Sequence, residues 1–428
     1  MQKYTFFPKH ANIFLDRIKQ NGFFCVISAI KKIIMKKVLL LVAICLLTAK
    51  ATAQNEKNLL KDVDQMIAQR QYLSAYQLLD NFDPNNDNIA VVLKKEHIVL
   101  NFFSQSIMHR MFSLADLKEG ESLDESRQNF ESGEIIVFDA DSLILRLLAR
   151  NPNNSDLLDG HARYHQSVLD DYDHDAWMSS LDSTCLELFQ KGSDKRSATA
   201  ASQLGLYYTL LEDYPSALPQ YRRAISLCDT AWGDYYNLGI IEYYTEQYTE
   251  AIQHLLRAHE GYTNPALKSD AARVIGIIYD EHLNNPDKAL KYFQLAISAN
   301  ANNVYNNAYL LKFHLTHKNY SLAETTLATG WMMAAEGGSP FEDCSLLMNL
   351  CRQYDYTAPL VDFLTKTLSK ADNNFILGIT DLYLGQLLED ETDAISHLRS
   401  AIEHFRQEEA PDDFLNSLQE LIKERSSK

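Results

Sequence analysis

Two stretches of this chain match each other at an offset of 34 residues. Leu204-Gly205, Tyr214, Ala217, Tyr221 and Ala224 recur as Leu238-Gly239, Tyr248, Ala251, Leu255 and Ala258. A period of this length means that each repeat is one supersecondary unit that buries its apolar face against its neighbours. Inside the unit, a mid-helix glycine costs roughly 1 kcal/mol of helix propensity but lets a second backbone approach closely. Ala217, Tyr221 and Ala224 follow at i, i+4 and i+7, one face of a second helix. Between the two, Glu212-Asp213-Tyr214-Pro215 is a polar turn with proline placed in a helix first turn. The expected unit is a pair of antiparallel helices crossing at small residues.

This pattern resembles the tetratricopeptide repeat, whose consensus has Leu-Gly, Tyr, Ala, an aromatic and Ala at these offsets. The copy at 232–265 opens with Trp232 and Tyr235 and departs by placing Glu242 where an aromatic is usual, with Tyr243 next. A third copy carries Ile275-Gly276, Tyr279, Ala289, Phe293 and Ala296. Its glycine-to-alanine step is 13 residues rather than 12, which points to a turn lengthened at Asn284-Asn285-Pro286. A fourth keeps Tyr320, Ala323 and Leu327 but has Leu310-Leu311 for the Leu-Gly pair. Fainter second halves are Tyr72, Ala75 and Leu79, then Ala358 with Phe363, then Ala394 with Leu398 and Ala401.

The resemblance implies an all-α fold, a right-handed superhelical solenoid of antiparallel helix pairs. The clear array covers 196–330. Degenerate repeats are expected over 54–195, with an irregular insertion near 116–140, and again over 331–428 with a cap. The insertion ends in Glu134-Ile135-Ile136-Val137-Phe138, which reads equally as loop, strand or irregular helix start. Apolar residues make up 46% of the chain, enough for a core and against disorder.

The N-terminus reads as an address. Met35-Lys36-Lys37 is basic, Val38 to Leu47 is apolar, and Ala51-Thr52-Ala53 precedes Gln54, the pattern of a cleaved secretory signal over 35–53. Residues 1–34 then lie outside the expected precursor, which starts at Met35. The apolar run is too short to span a bilayer as a helix, and Ile44 before Cys45 spoils a lipid-attachment signal. An exported, periplasmic or secreted chain without stable membrane insertion is expected. Loss of residues 1–53 removes nine Lys/Arg and one Asp, leaving 31 basic and 56 acidic residues and a net charge of −25. That surface disfavours nucleic acid, whose binding needs basic residues to displace counterions. A basic protein or a neutral ligand suits it better.

Four cysteines follow the signal. Cys344 and Cys351 on one helix would sit about 10 Å apart, beyond the roughly 7 Å reach of a disulfide. A Cys185–Cys228 bridge is left open. His161-Ala162-Arg163-Tyr164-His165 puts two imidazoles at i and i+4, a spacing that can hold zinc, with a third ligand available in the run 170–175. Zinc hydrolases of this pattern need a glutamate after the first histidine as general base, and Ala162 stands there. The plainer expectation is a half-exposed pair on a surface helix. His314 and His317 read as ordinary polar residues between repeats. No cofactor, metal or catalytic residue is expected.

In the family that this chain resembles, the first helix of each repeat lines the concave face and contacts ligand. Counting from the Leu-Gly pair, the matching positions are Tyr236, Tyr243 and Tyr244, then Arg273, Asp280 and Glu281, then Tyr305 and Lys312. The resemblance implies that a protein or peptide partner binds there. Tyrosine combines apolar area with a hydroxyl, and Arg273 and Lys312 suit a carboxylate or peptide carbonyl. The rival readings are a zinc-dependent hydrolase at His161 and His165, and a glycan-capture module built on similar helices. Trp331-Met332-Met333 reads equally as core or as an exposed apolar edge.

Overall fold

The computed structural model describes residues 54–129, 133–171 and 174–426. The signal segment 35–53 and the preceding 1–34 lie outside the described residues. The chain divides into two compact units between Trp177 and Met178.

The first unit opens with helices α1 (54–68), α2 (Tyr72–Phe82) and α3 (Ile89–Asn101). Tyr72, Ala75 and Leu79 form the buried face of α2, as their spacing predicts. A three-stranded antiparallel sheet follows, in the order β1 (Gln105–Ile107), β2 (Met111–Leu114), β3 (Glu134–Val137), with helix α4 (Leu123–Asn129) between the last two. The irregular stretch therefore contributes a strand, paired Met111 to Val137 and Ser113 to Ile135. Its inner face buries Phe112, Leu114 and the adjoining Phe138. Helices α5 (Ala140–Arg150) and α6 (Ser155–Asp171) complete the unit, and α7 (His174–Ser180) crosses into the next.

One buried cation organises the loop after α2. The Lys95 side chain is fully buried and its ammonium donates to Asp80 Oδ1 at 2.7 Å, Asn86 Oδ1 at 2.6 Å and the Asp83 carbonyl at 3.1 Å. Three oxygens replace the lost hydration, the condition for keeping a charge inside.

The second unit begins with α8 (Ser183–Asp194). Six helix pairs follow: α9 (Ala198–Leu210) with α10 (Tyr214–Leu227), α11 (Trp232–Tyr244) with α12 (Tyr248–Gly261), and α13 (Pro265–Ile277) with α14 (Pro286–Ala299). Then come α15 (Val304–Thr316) with α16 (Tyr320–Glu336), α17 (Pro340–Gln353) with α18 (Thr357–Leu368), and α19 (Asn374–Leu387) with α20 (Glu391–Gln407). Helix α21 (Asp412–Ser426) packs on α20 at the end. Asp and Asn open many of these helices because their side chains satisfy free N–H groups. Asp213 accepts from the Ser216 amide, Asn285 from Lys288, Asn373 from Ile376 and Asp390 from Asp393.

In four of the six pairs, a glycine of the first helix faces a large side chain of the second. A Cβ on Gly205 would lie 2.8 Å from the Tyr221 ring, on Gly276 2.8 Å from Phe293, and on Gly239 2.7 Å from Leu255 and 3.1 Å from the Ala251 carbonyl. Gly378 faces Phe405, and Gly385 faces Leu398 and the Ala394 carbonyl in the same way. Leu384-Gly385 is thus a further Leu-Gly pair. It escapes a search by period because only nine residues separate it from Ala394, against 12 from Gly239 to Ala251.

Two expectations change, and one open reading is settled. The extra residue of the third copy is not in the Asn284-Asn285-Pro286 turn; it is a single π turn, Ile278–His282, closing α13. The Leu283 amide reaches back five residues to the Ile278 carbonyl at 3.1 Å. In α18 the core is made by Leu360 and Leu364, while Ala358 is exposed and Phe363 half-buried. Trp331 is core, wholly buried and edge-on to Tyr383 at 5.2 Å. No disulfide joins the cysteines among the described residues, and burial pushes the Cys344 and Cys351 thiols up to about 12.

Two alanine substitutions in α11 separate packing from propensity. At Gly239, overpacking of about 1–3 kcal/mol exceeds the roughly 1 kcal/mol gained in helix propensity, so Gly239→Ala lowers stability. At Gly233, where an added Cβ meets nothing within 4 Å, Gly233→Ala raises it by up to about 1 kcal/mol. Urea denaturation of both variants checks the opposite signs.

Candidate functional site

The first-helix side chains named from the sequence lie on three successive repeats, and most of them meet. On α11, Tyr236 is half-buried and its ring lies 6.5 Å from Tyr262. On α13, Arg273 pairs with Asp270 one turn earlier at 2.8 Å. The same guanidinium stands over two rings of α15, 6.0 Å from Tyr305 and 5.7 Å from Tyr309. One turn further along α15, the Lys312 ammonium donates to Glu281 at 2.7 Å and stands 5.9 Å from the Tyr309 ring. Glu281 and Tyr309 in turn act on the Tyr243 hydroxyl, which burial first and these neighbours second hold above its ordinary range. Tyr243 and Tyr244 rings are 5.3 Å apart. A continuous face runs from Tyr236 through Arg273, Tyr309 and Lys312 to Tyr243.

Its two ends differ in freedom. Tyr244 and Tyr305 are exposed, with Tyr244 stacked on Tyr214 at 5.7 Å. Asp280 belongs elsewhere: its carboxylate accepts from His317 Nε2 at 2.7 Å, tying the third repeat to the fourth. That bond makes Asp280 a connector between repeats. His314 is buried against Phe313, and burial holds its imidazole below the usual range.

Two residues that the sequence reading passed over complete the face. Asp270 stands at i−3 from Arg273, and Tyr309 at i+4 from Tyr305, so ordinary helical spacing would have found both. Their effect on the chemistry is direct. Arg273 and Lys312 are already answered by Asp270 and Glu281, so a ligand carboxylate has to displace a carboxylate of the protein. Lys312 is held above its usual range by that Glu281 contact, against the opposing effect of burial.

Glu242, which replaces an aromatic of the repeat pattern, is fully buried behind Tyr243. It accepts from His254 at 2.6 Å and from Arg222 at 3.1 Å. The substitution is accommodated because two donors from the second helices turn toward it.

In the first unit, His161 and His165 are both buried, not half-exposed, with ring centroids 4.7 Å apart. His161 Nε2 lies 3.6 Å from Asp141 Oδ1. Within the run 170–175, Tyr172 and Asp173 lie outside the described residues. Ala162 leaves this pair without the glutamate base that a zinc hydrolase of this pattern uses.

A family model described as a tetratricopeptide repeat matches residues 197–229, the α9–α10 pair. This stretch is a tetratricopeptide repeat. The pairs α11–α12 and α13–α14 copy its glycine-on-side-chain contact, and from α9 onward the second unit is a row of antiparallel helix pairs. No curated protein matches the sequence. Among solved structures, PilF of Pseudomonas aeruginosa is 17% identical over 52% of this chain and 93% of its own, with a TM-score of 0.37. MamA is 21% identical over 41% and 91%, at 0.31. YrrB, described as a tetratricopeptide-repeat protein with an unusual peptide-binding site, is 20% identical over 45% and 97%, at 0.32. No helix among the described residues is long and apolar enough to cross a membrane.

The Glu242 arrangement predicts an asymmetry. His254→Ala strips a buried carboxylate of one donor and costs about 1–3 kcal/mol. Glu242→Leu removes the charge together with its need for partners and costs less. Urea denaturation of the two variants checks the order.

Proposed function

We propose that this chain is an exported, non-catalytic scaffold that holds a protein or peptide partner along the first-helix face of its tetratricopeptide repeats. The observation that carries this reading is the unbroken run of Tyr236, Arg273, Tyr305, Tyr309, Lys312 and Tyr243 across three repeats. Rigid aromatic area with few torsions to freeze, interleaved with hydrogen-bonding groups, is what recognition of a peptide backbone and its side chains needs. The helix pairs hold these groups in place before a partner arrives, so little ordering entropy is lost on the scaffold side.

Export is supported by the segment 35–53, whose basic, apolar and small-residue parts follow one another in the order of a signal peptide. The charge of −25 on the remaining chain favours a basic or neutral partner.

Mature protein (54–428) and a Tyr243→Ala, Lys312→Ala double variant, each immobilised, are expected to differ in the partners they retain from an exported-protein fraction. The variant should lose at least about 1.4 kcal/mol, a tenfold fall in affinity for each groove partner. Equal retention by both would remove the groove from the mechanism. Separately, expression from Met35 in a secreting bacterial host should give a chain whose N-terminal residue is Gln54. Intact mass measurement reads this, and an uncleaved chain in the cytoplasm would sink the export proposal.

A further inference from the structure

The sheet of the first unit ends in an apolar edge strand. The strand order β1-β2-β3 puts β3 outermost. The Phe138 amide donates to the Arg110 carbonyl at 2.9 Å, one step beyond the Met111–Val137 pair. Hydrogen-bonded and non-bonded pairs alternate along an antiparallel ladder, so Glu134, Ile136 and Phe138 turn their peptide groups toward β2. Ile135 and Val137 turn theirs away. Among the described residues, no backbone hydrogen bond from outside the sheet reaches them.

The side chains at this edge are bare. On the outer face, Ile107, Met111 and Val137 form one row across the three strands, with Ile135 two residues from Val137. Exposure is greatest at the edge: 74% at Val137 and 60% at Ile135, against 41% at Ile107 and a half-buried Met111. The missing cover therefore lies beyond β3 rather than over the sheet. Edges that must stay unpaired are blunted by proline, lysine or a bulge. Glu134-Ile135-Ile136-Val137 has neither proline nor lysine, and its register with β2 is unbroken.

This edge is complementary to itself. A second β3, laid antiparallel with a two-fold axis through Ile136, sets Ile135 of each copy opposite Val137 of the other. Those are the residues whose amides and carbonyls point outward, so each pair closes its own hydrogen bonds. Their β-branched side chains meet on the outer face. A centre at Ile135 or Val137 would instead set one of them opposite residue 133 or 139, outside the strand.

The charges agree with that register. Glu134 falls opposite Phe138 of the other copy, and so in one row with that copy's Arg110, two strands or about 9–10 Å away. Glu134 is exposed, and the Arg110 side chain is 56% exposed with a loose 3.5 Å contact to Asp139. Symmetry makes the attraction twice.

We propose that β3 pairs with β3 of a second copy of this chain, joining two three-stranded sheets into one of six strands. The interface is isologous and closes at two copies. It lies outside the groove and does not depend on the groove reading.

Sedimentation velocity of mature protein (54–428) over a micromolar concentration series should show a species of twice the monomer mass. The double variant Ile135→Lys, Val137→Lys sets like charges directly opposite in both pairs and should weaken the dimer at least about tenfold. Both side chains are exposed in the protomer, so far-UV circular dichroism should stay that of wild type. The swap Ile135→Val, Val137→Ile should keep the dimer. Cysteine cross-linking reads the register. Ile136→Cys meets its own copy at about 4.5 Å between Cα atoms and should form an intermolecular disulfide on air oxidation. Ile135→Cys, about 7–8 Å from its copy along the diagonal, should not. A monomer at every concentration overturns the proposal and leaves the edge to a strand of another protein. A dimer that survives the lysine variant, or that cross-links through Ile135→Cys and not Ile136→Cys, overturns it as well, because another surface or register then joins the copies.

Discussion

The contact on which the second unit depends is a hydrogen atom where every other residue has a carbon. Gly205, Gly239, Gly276, Gly378 and Gly385 each let a side chain of the following helix lie closer than a Cβ would allow. The backbone separation set there fixes the angle of four of the six pairs, and the pair is the unit that stacks. The side chains displayed on α11 and α13 take their spacing from these contacts. Tyr236, Arg273 and Tyr309 meet because α11, α13 and α15 are held at a regular interval. The cost in helix propensity is accepted at positions where the packing cannot be had otherwise.

Irregularities in the array coincide with its chemistry. The π turn at Ile278–His282 absorbs an extra residue in the third first helix and carries both Asp280 and Glu281. Asp280 reaches His317 of the next repeat, while Glu281 reaches Lys312 in the groove. Glu242 is a second departure, an acid in an apolar place that recruits His254 and Arg222 from second helices. Both sites break the repeat rule locally and are satisfied by neighbours beyond their own helix.

The first unit obeys different constraints. Its sheet closes a stretch without helical periodicity, and the buried Lys95 ammonium pins the loop after α2. Neither was legible. Glu134 to Val137 carries too few residues for an alternating pattern to declare itself, and pairing with Met111–Leu114 is a long-range event. A lysine that becomes a core residue looks in sequence like any surface lysine until the three oxygens around it are placed.

By itself the sequence determined the repeat: a 34-residue period, small residues against large ones, and hence stacked helix pairs from 196 onward. It also picked out the first-helix positions, since counting from Leu-Gly needs only local helical geometry. The tertiary structure decided which of those positions act together. Asp280 pairs with His317 of the next repeat, and Asp270 and Tyr309 join Arg273 on the first-helix face. It decided as well that Arg273 and Lys312 are already paired, with Asp270 and Glu281. Periodicity is a property of neighbours along the chain, whereas charge pairing and burial depend on distances between repeats, which no single repeat encodes.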